Sequence, residues 1–243
     1  PTLSDTADTG EPPHPYRWAM LTGVWLLYFA FAASIASIAP LVYQVMLDLG
    51  MNRAEMGTVL AAWQLTYIFC SVPCGSLLDK FGPRRTMFAA VLVIAVSVAL
   101  RGFASDYVTL LLAVMVFGIG GPLISSGAPK VVAVWFTGKE RGFAMGIYFT
   151  GNATGGIVTV ALTNSVFLPA IGGDWRDLMF YYAVFIVAAG IAWLLISAHP
   201  ASRAMEEKLK AEPKKRSRDV FMELLRDPIV RLVLLMGLFI LFY

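Results

Sequence analysis

Long runs without a charged residue follow one another along most of this chain. They cover residues 18–47, 56–78, 86–100, 107–129, 142–173 and 178–198. About 20 apolar residues cross the hydrocarbon core of a bilayer as a helix, so five of these runs are long enough alone. The third run is short, but Arg101 at its end can extend its side chain to the membrane surface. The pattern therefore predicts six transmembrane helices.

The runs are continuous, whereas the strands of a membrane barrel alternate apolar and polar residues over about ten positions. We therefore predict an all-α membrane protein with a six-helix bundle at residues 18–198. Residues 1–17 have the polar and Pro-rich composition of a disordered tail. Residues 199–226 form a basic linker, and a seventh helix begins within residues 227–243.

The composition agrees with a polytopic membrane protein. Hydrophobic residues make up 58% of the chain and charged residues only 14%, with a mean hydropathy of +0.70. The net charge of +3 is small. The basic residues lie in short loops between the apolar runs rather than on one polar face, which argues against a nucleic-acid partner. Cys70 and Cys74 lie one turn apart in an apolar run without nearby histidine or carboxylate, so they indicate helix packing rather than a metal site. No cofactor is predicted.

The distribution of Lys and Arg predicts the orientation of the helices. With a cytoplasmic amino terminus, the inner loops and the linker carry most of the basic residues, and the outer side carries only Arg53, Arg101 and Arg176. Cytoplasmic loops of membrane proteins carry such an excess. The prediction is a multi-pass protein of the plasma or inner membrane. The basic linker either holds this topology or binds anionic lipid headgroups.

The turn between the second and third runs, "GSLLDKFGPRR" at residues 75–85, concentrates charge in a short segment. Its glycine one turn before the carboxylate permits close helix approach, and its Gly-Pro step permits a tight turn. A topology anchor explains the arginines but not the carboxylate with its glycine. The residues in question are Gly75, Asp79, Lys80, Gly82, Arg84 and Arg85.

This segment resembles the signature loop between helices two and three of the major facilitator superfamily. The resemblance covers residues 18–243 and implies the first half of a twelve-helix carrier, with two inverted three-helix repeats. It also implies that the loop is a cytoplasmic gate, whose carboxylate Asp79 faces the second half in one state of an alternating-access cycle. The second half is then either the rest of the chain or another subunit.

The next inner loop, "WFTGKERGFAMGI" at residues 135–147, adds Glu140 and Arg141 to this predicted gate. We expect Glu140 to pair with Arg84, or Arg141 to pair with Asp79. An exposed ion pair contributes little to stability, so its role would lie in switching between states.

The chain departs from proton-coupled members of the family. Many members carry an arginine on helix four, three residues before a Gln-Gly-x-Gly sequence. Here Val114 and Phe117 stand at the positions of the arginine and the glutamine. The "GNATGG" segment also lacks the Gly-Pro step of the drug antiporters. No Asp or Glu lies within the six runs, although proton carriers need an ionisable group there. These departures argue against a drug–proton antiporter. Either a second half supplies such a group, or the protein works as a uniporter, an exchanger or a sodium-linked carrier.

Lys130 is a charge within a predicted span, about 9 Å from the inner end of helix four at 1.5 Å per residue. Either it extends to the inner surface, or it faces the central cavity and attracts an anionic substrate. The resemblance favours the cavity, since helices one and four line it in the family, and Pro129 is expected to break the helix beside it. The other substrate-binding candidates are Tyr28, Gln64, Tyr67, Tyr148 and Asn152.

The segment from Pro129 to Asn152 also resembles, more loosely, the branch that carries nitrate, cyanate and monocarboxylates. We therefore expect a secondary transporter for a small anionic organic solute. The alternative is a half-carrier that acts as a scaffold bound to other membrane proteins. An intramembrane hydrolase is not favoured, because no histidine lies within the spans to serve as a base.

Overall fold

A computed structural model of the protein describes residues 15–211, with side chains to residue 207. The regular structure in this part of the chain is helical, and six stretches are long and apolar enough to cross a membrane. We call them spans 1 to 6. Their bounds are Arg17–Asp48, Arg53–Phe81, Pro83–Gly102, Tyr107–Trp135, Gly138–Ala170 and Trp175–Ser197. The predicted all-α bundle of six spanning helices is confirmed.

Spans 1 and 5 are interrupted near the same end of the bundle. Span 1 consists of α1 (Arg17–Ala36), a 3₁₀ turn (Ala39–Leu41) and α2 (Val42–Asp48). Span 5 consists of α6 (Gly138–Leu162), a π-helical turn (Thr163–Phe167) and the short α7 (Leu168–Ala170). Asn164 Nδ2 donates a hydrogen bond of 2.8 Å to Pro40 O, so the two interruptions face each other.

The other spans are single helices: α3 (Arg53–Phe81), α4 (Pro83–Gly102), α5 (Tyr107–Trp135) and α8 (Trp175–Ser197). Helix α5 continues through Pro122 and Pro129, so the expected break at Pro129 is absent. The helix α9 (Pro200–Ala211) follows, within the predicted linker. The rest of that linker, the predicted seventh helix and the tail up to residue 14 lie outside the described residues.

Side chains at the helix starts satisfy backbone N–H groups that have no partner within the helix. Asn52 and Glu55 form a capping box at the start of α3, and Asp106 and Thr109 form another at α5. Between α3 and α4, Gly82 has a φ of +81° and Pro83 opens the next helix. This is the predicted tight turn, because glycine tolerates positive φ and proline suits the first helical position.

Glycines set how closely the spans pack. A Cβ on Gly155 would lie 2.3 Å from Phe29 O in span 1, and one on Gly118 would lie 2.4 Å from Trp63 O in span 2. Spans 1 and 5, and spans 2 and 4, therefore pack with their backbones in contact, as small residues allow in membranes.

The packing pairs follow the predicted three-plus-three repeat. In such a repeat, spans 1, 2 and 3 correspond to spans 4, 5 and 6. Span 1 packs on span 5, and correspondingly span 4 packs on span 2. Span 3 packs on span 4, and correspondingly span 6 packs on span 1. Exchanging the first three spans with the last three therefore reproduces the same neighbours, which is the signature of an internal repeat. Spans 2 and 5 are the least covered, with 17% and 22% of their most apolar stretch buried, against 39–56% for the others.

Arg101 does not extend to the membrane surface as predicted. It is only 2% exposed, and it donates hydrogen bonds to Ser34 O at 2.7 Å, to Ser37 Oγ at 2.9 Å and to Ser97 Oγ at 3.4 Å. Ser37 is the C-cap residue that directly follows α1. A buried guanidinium needs such acceptors. Span 1 supplies two of them near its interruption, and Ser97 of span 3 supplies the third.

Candidate functional site

The predicted gate residues gather at one end of the bundle, which we call the Gly82 end. It is formed by the Gly82 turn, the connection from Trp135 to Gly138, the start of span 1 and the end of span 6. Asp79, Lys80, Arg85 and Arg141 are exposed there. The Lys80 ammonium lies 5.2 Å from the centre of the Phe81 ring.

Asp79 forms an ion pair with Lys130 across spans 2 and 4. Lys130 Nζ donates to Asp79 Oδ1, and the two side chains are 33% and 50% exposed. The expected Asp79–Arg141 pair is not among the ion pairs of the described residues. Lys130 is closer to Asp79 because span 4 packs directly on span 2, whereas Arg141 begins span 5 on the other side of span 1.

Glu140 pairs with Arg17 instead of the expected Arg84. Arg17 Nη1 and Nη2 donate to the two carboxylate oxygens of Glu140 at 2.5 and 3.3 Å. The Arg17 guanidinium also lies 5.4 Å from the ring centre of Phe136. Arg84 is instead joined to span 6 through its backbone, because its carbonyl oxygen accepts a hydrogen bond of 3.1 Å from Trp193 Nε1. The prediction failed because spans 1 and 5 are direct neighbours.

Gly75 does not serve helix packing within the described chain. No heavy atom lies within 4 Å of a Cβ built on it, whereas the sequence suggested that another helix approaches there. Gly75 is on span 2, whose outer face is largely uncovered. The space in front of it is therefore open within the part of the chain that the structure describes.

Three of the predicted substrate-binding residues meet between spans 1, 2, 4 and 5. Tyr67 OH lies 2.5 Å from Ser125 Oγ, and Tyr28 OH donates to Ser125 O at 3.3 Å. The Tyr28 and Tyr148 rings make an edge-to-face contact with centroids 4.8 Å apart. Because Ser125 bonds to tyrosines of two spans at once, it sets the positions of the two phenol groups relative to each other.

We call Tyr28, Tyr67, Tyr148 and Ser125 the tyrosine cluster. Phe31, Phe117 and Trp63 connect it into a row of ring contacts with centroids 5.3–6.0 Å apart. Large rings with hydroxyl groups offer apolar contact and hydrogen bonding to one solute.

Besides Lys130, which pairs with Asp79, two further candidates do not join this cluster. Asn152 follows Tyr148 by one turn on span 5 and is partly buried, and Gln64 is exposed on span 2. Neither has a side-chain hydrogen bond within the described part of the chain. Both amides are therefore available to a solute or to another helix.

A separate cavity of about 390 Å³ lies between spans 1, 5 and 6. Its lining is almost entirely apolar, and Tyr182 OH bonds to Thr163 Oγ1 at 2.7 Å beside it. Tyr181 and Phe185 at its wall are exposed on the outside of span 6. None of the residues that line this cavity carries a charge, and none of them belongs to the tyrosine cluster. The residues that line it are Phe29, Ala33, Val158, Thr159, Phe167, Ala170, Ile171, Leu178, Tyr181, Tyr182 and Phe185.

The end opposite Gly82 is closed by a second polar group. Arg176 pairs with Asp48 and donates to Ala104 O at 3.2 Å. Trp175 Nε1 also donates to Asp48 Oδ2 at 3.1 Å. The start of span 6, the end of span 1 and the connection between spans 3 and 4 are thereby joined.

Three residues of these networks escaped the sequence reasoning: Ser125, Arg17 and Tyr16. Ser125 is one small polar residue in "LISSGAP", and no pattern distinguishes it from Ser126. Tyr16 falls in the predicted tail, yet its OH donates to Ile196 O at 2.7 Å and its ring stacks on His199 at 3.9 Å. The aromatic "HPYRW" segment was the available signal that the chain is anchored before span 1.

Residues 24–243 match the family model of the Major Facilitator Superfamily. A probable L-galactonate transporter of Escherichia coli strain K12 is 27% identical over 207 residues, which are 80% of this chain and 45% of that protein. A probable sulfoacetate transporter of Cupriavidus necator is 29% identical over 185 residues, with 74% and 40% covered. The chain thus spans about half the length of the curated relatives it matches.

The fold also matches solved structures. A bacterial homolog of the human lysosomal transporter Spinster, inward-facing and unoccupied, superimposes with a TM-score of 0.60 at 19% identity. The match covers 85% of this chain and 47% of that one. At this level of identity the likeness shows the fold alone. The match confirms that the six spans form the kind of bundle found in half of such a transporter.

Proposed function

Because the chain belongs to the Major Facilitator Superfamily, whose members bind small-molecule substrates within the bilayer, we propose that it is the first half of a secondary transporter. The solute is a small organic anion, and transport proceeds by alternating access. The relatives named for L-galactonate and sulfoacetate support the anionic class, since both compounds carry a negative charge. The protein is an integral membrane protein with several spans.

The tyrosine cluster is the observation that supports this proposal most. Three phenol groups and Ser125 converge from spans 1, 2, 4 and 5, so one solute placed there would contact both repeats. Hydroxyl donors suit a carboxylate or sulfonate oxygen. Asn152, Gln64 and Lys130 are further candidates for binding the solute.

A second bundle of six helices completes the pathway in this proposal, supplied by the rest of a longer chain or by another subunit. The uncovered faces of spans 2 and 5 support this arrangement, as does the open space in front of Gly75. The Gly82 end then acts as the cytoplasmic gate, with the amino terminus on the cytoplasmic side. Asp79 and its neighbours form and break contacts there in each cycle.

The decisive experiment is an uptake screen with the complete natural protein in proteoliposomes. The solutes are L-galactonate, sulfoacetate and nitrate, with galactose as the neutral control. We expect saturable uptake of L-galactonate or sulfoacetate, competition between the two anions, and no uptake of galactose. Uptake of nitrate alone would contradict the organic class of the solute. A folded protein that moves none of the anions overturns the proposal, and a protein that still binds other membrane proteins would then be a scaffold.

A matched pair of variants tests whether the tyrosine cluster binds the solute. Tyr28→Phe removes a hydroxyl of the cluster, whereas Tyr181→Phe removes one from a ring that is 60% exposed on the outside of span 6. Loss of one hydrogen bond worth about 1 kcal/mol raises the KM about fivefold. We expect that change for Tyr28→Phe alone. Equal KM values for the two variants contradict a binding role for the cluster.

A further inference from the structure

Lys130 lies on α5, between Ser125 of the tyrosine cluster and the Gly82 end of the bundle. Ser125 of the cluster lies five residues before it in α5, or about 7.5 Å along the axis. Ser126 lies four residues before it and shares its helix face, and Ser126 is exposed. The flexible side chain of Lys130 extends over a similar length, so an anion beside Ser126 is within its range.

Lys130 is suited to exchange its partner Asp79 for another anionic group. Both side chains are partly exposed, at 33% and 50%, and such a pair holds weakly against water. A lysine ammonium is a compact charge on a long stem that can rotate its donors towards another acceptor. The neighbouring Arg17–Glu140 pair is different, because the guanidinium binds both carboxylate oxygens at once and is fixed in geometry.

Arg101 is another cation buried among the spans, but both of its terminal amino groups are already engaged elsewhere. It is buried and donates to Ser34 O, Ser37 Oγ and Ser97 Oγ. These acceptors lie towards the end opposite Gly82, near the place where α1 ends. Arg101 therefore does not offer its donors to a solute at Ser126, and Lys130 is the better placed cation.

We infer that the Lys130 ammonium is shared between the Asp79 carboxylate and the transported anion. When the anion binds beside Ser126 and the tyrosine cluster, Lys130 turns to it and releases its hold on Asp79 at the gate. Binding of the solute then changes the charge balance at the Gly82 end, which couples occupation of the site to movement of the gate. The inference rests on the proposed function, whose site it extends.

The coupling predicts opposite effects for the two partners. Asp79→Asn removes the competitor of the anion, so L-galactonate or sulfoacetate should bind about fivefold tighter or more, the lower end of typical coupling between sites. Lys130→Gln removes the cation, and binding should weaken about tenfold, since charge-assisted hydrogen bonds are the strong ones. Affinity is measured by calorimetry on the complete natural protein in detergent, and uptake in proteoliposomes.

The exchanged pair, Asp79→Lys with Lys130→Asp, separates this inference from a structural role. It restores an ion pair at the gate but places a carboxylate towards the anion site. We expect binding and uptake to remain at least about tenfold below wild type. The control exchanges Asp48 and Arg176 at the opposite end, as Asp48→Arg with Arg176→Asp, and should leave the affinity for the anion unchanged.

The outcomes distinguish the inference from the function beneath it. If the exchanged pair recovers both affinity and uptake, Lys130 serves only the ion pair and the inference is overturned. Unchanged affinity in Asp79→Asn also overturns it, because no competition then exists. If the wild-type protein binds neither L-galactonate, sulfoacetate nor nitrate, the proposed function fails and the inference fails with it.

Discussion

The packing of span 5 on span 1 yields a direct prediction from two adjacent glycines. A Cβ on Gly155 would lie 2.3 Å from Phe29 O, whereas a Cβ on Gly156 would meet nothing within 4 Å. Cβ atoms are essentially never found closer than 3.0 Å to a heavy atom of another, non-neighbouring residue. Gly155→Ala therefore requires the two backbones to separate by about 0.7 Å, the difference between 3.0 Å and 2.3 Å. Gly156→Ala requires no movement and serves as the control.

The cost follows from the kind of atom that must move. Inserting a methyl group into a packed interior costs about 1–3 kcal/mol, and a backbone carbonyl yields less readily than a side chain. The separation also removes contacts at Gly151, where a Cβ would lie 2.6 Å from Trp25 O. We expect the upper part of this range for Gly155→Ala.

The assay is thermal unfolding of the purified complete natural protein in detergent. A free-energy change of about 1 kcal/mol shifts the Tm of a domain of this size by about 2–4 °C. We therefore expect Gly155→Ala to lower the Tm by about 5 °C or more. Gly156→Ala should leave the Tm unchanged or raise it slightly, since alanine has the higher helix propensity. Equal Tm values for the two variants would refute the backbone contact between spans 1 and 5.

Three further predictions concern single side chains. At Asp106, the Thr109 backbone N–H holds the pKa of the carboxyl below its ordinary value, so its charge stabilises the folded state above about pH 4 and this stabilisation is lost as the pH falls through the lowered pKa. Wild type should therefore have a higher Tm than Asp106→Asn at pH 7, and this difference in Tm should shrink in acid. A difference in Tm that grows in acid would argue against the role of the charge. Arg101→Lys keeps the charge but leaves a buried acceptor unpaired, which should cost about 1–3 kcal/mol of unfolding free energy; an unchanged Tm would show that the three hydrogen bonds are not needed. Tyr67→Phe removes the bond to Ser125 and should raise the KM for L-galactonate about fivefold, and an unaltered KM would exclude Tyr67 from the site.

The fold could be predicted because the bilayer restricts what a chain can do. Uncharged runs of sufficient length must become helices, and the glycines of "FGIGG" and "GNATGG" mark where helices approach each other. Gly118 and Gly155 do make such contacts. Gly75 and Gly156 do not. Sequence alone does not tell which face of a helix meets a neighbour within the described bundle.

The partners of the charged residues were harder to predict because they depend on which spans are neighbours. The sequence placed Asp79, Glu140, Arg84 and Arg141 at one end of the bundle, which is where they lie. It could not show that span 2 packs on span 4. This contact places Asp79 within ion-pair distance of Lys130. Arg101 was misjudged for a related reason. Two of its three acceptors, Ser34 O and Ser37 Oγ, lie near the interruption of span 1, and a run of apolar letters does not reveal that interruption.

Labelling of a cysteine at Ser126 tests the central claim of alternating access at this site most directly. The complete natural protein carries Ser126→Cys in a background without other cysteines, Cys70 and Cys74 included, and the control is Val184→Cys, 68% exposed near the middle of span 6. A membrane-impermeant thiol reagent is added to either side of proteoliposomes, with and without L-galactonate or sulfoacetate. The account predicts labelling of Ser126→Cys from both sides, protection by a transported anion, and no labelling of the control. Labelling from one side alone, unaffected by an anion that the protein transports, would contradict it.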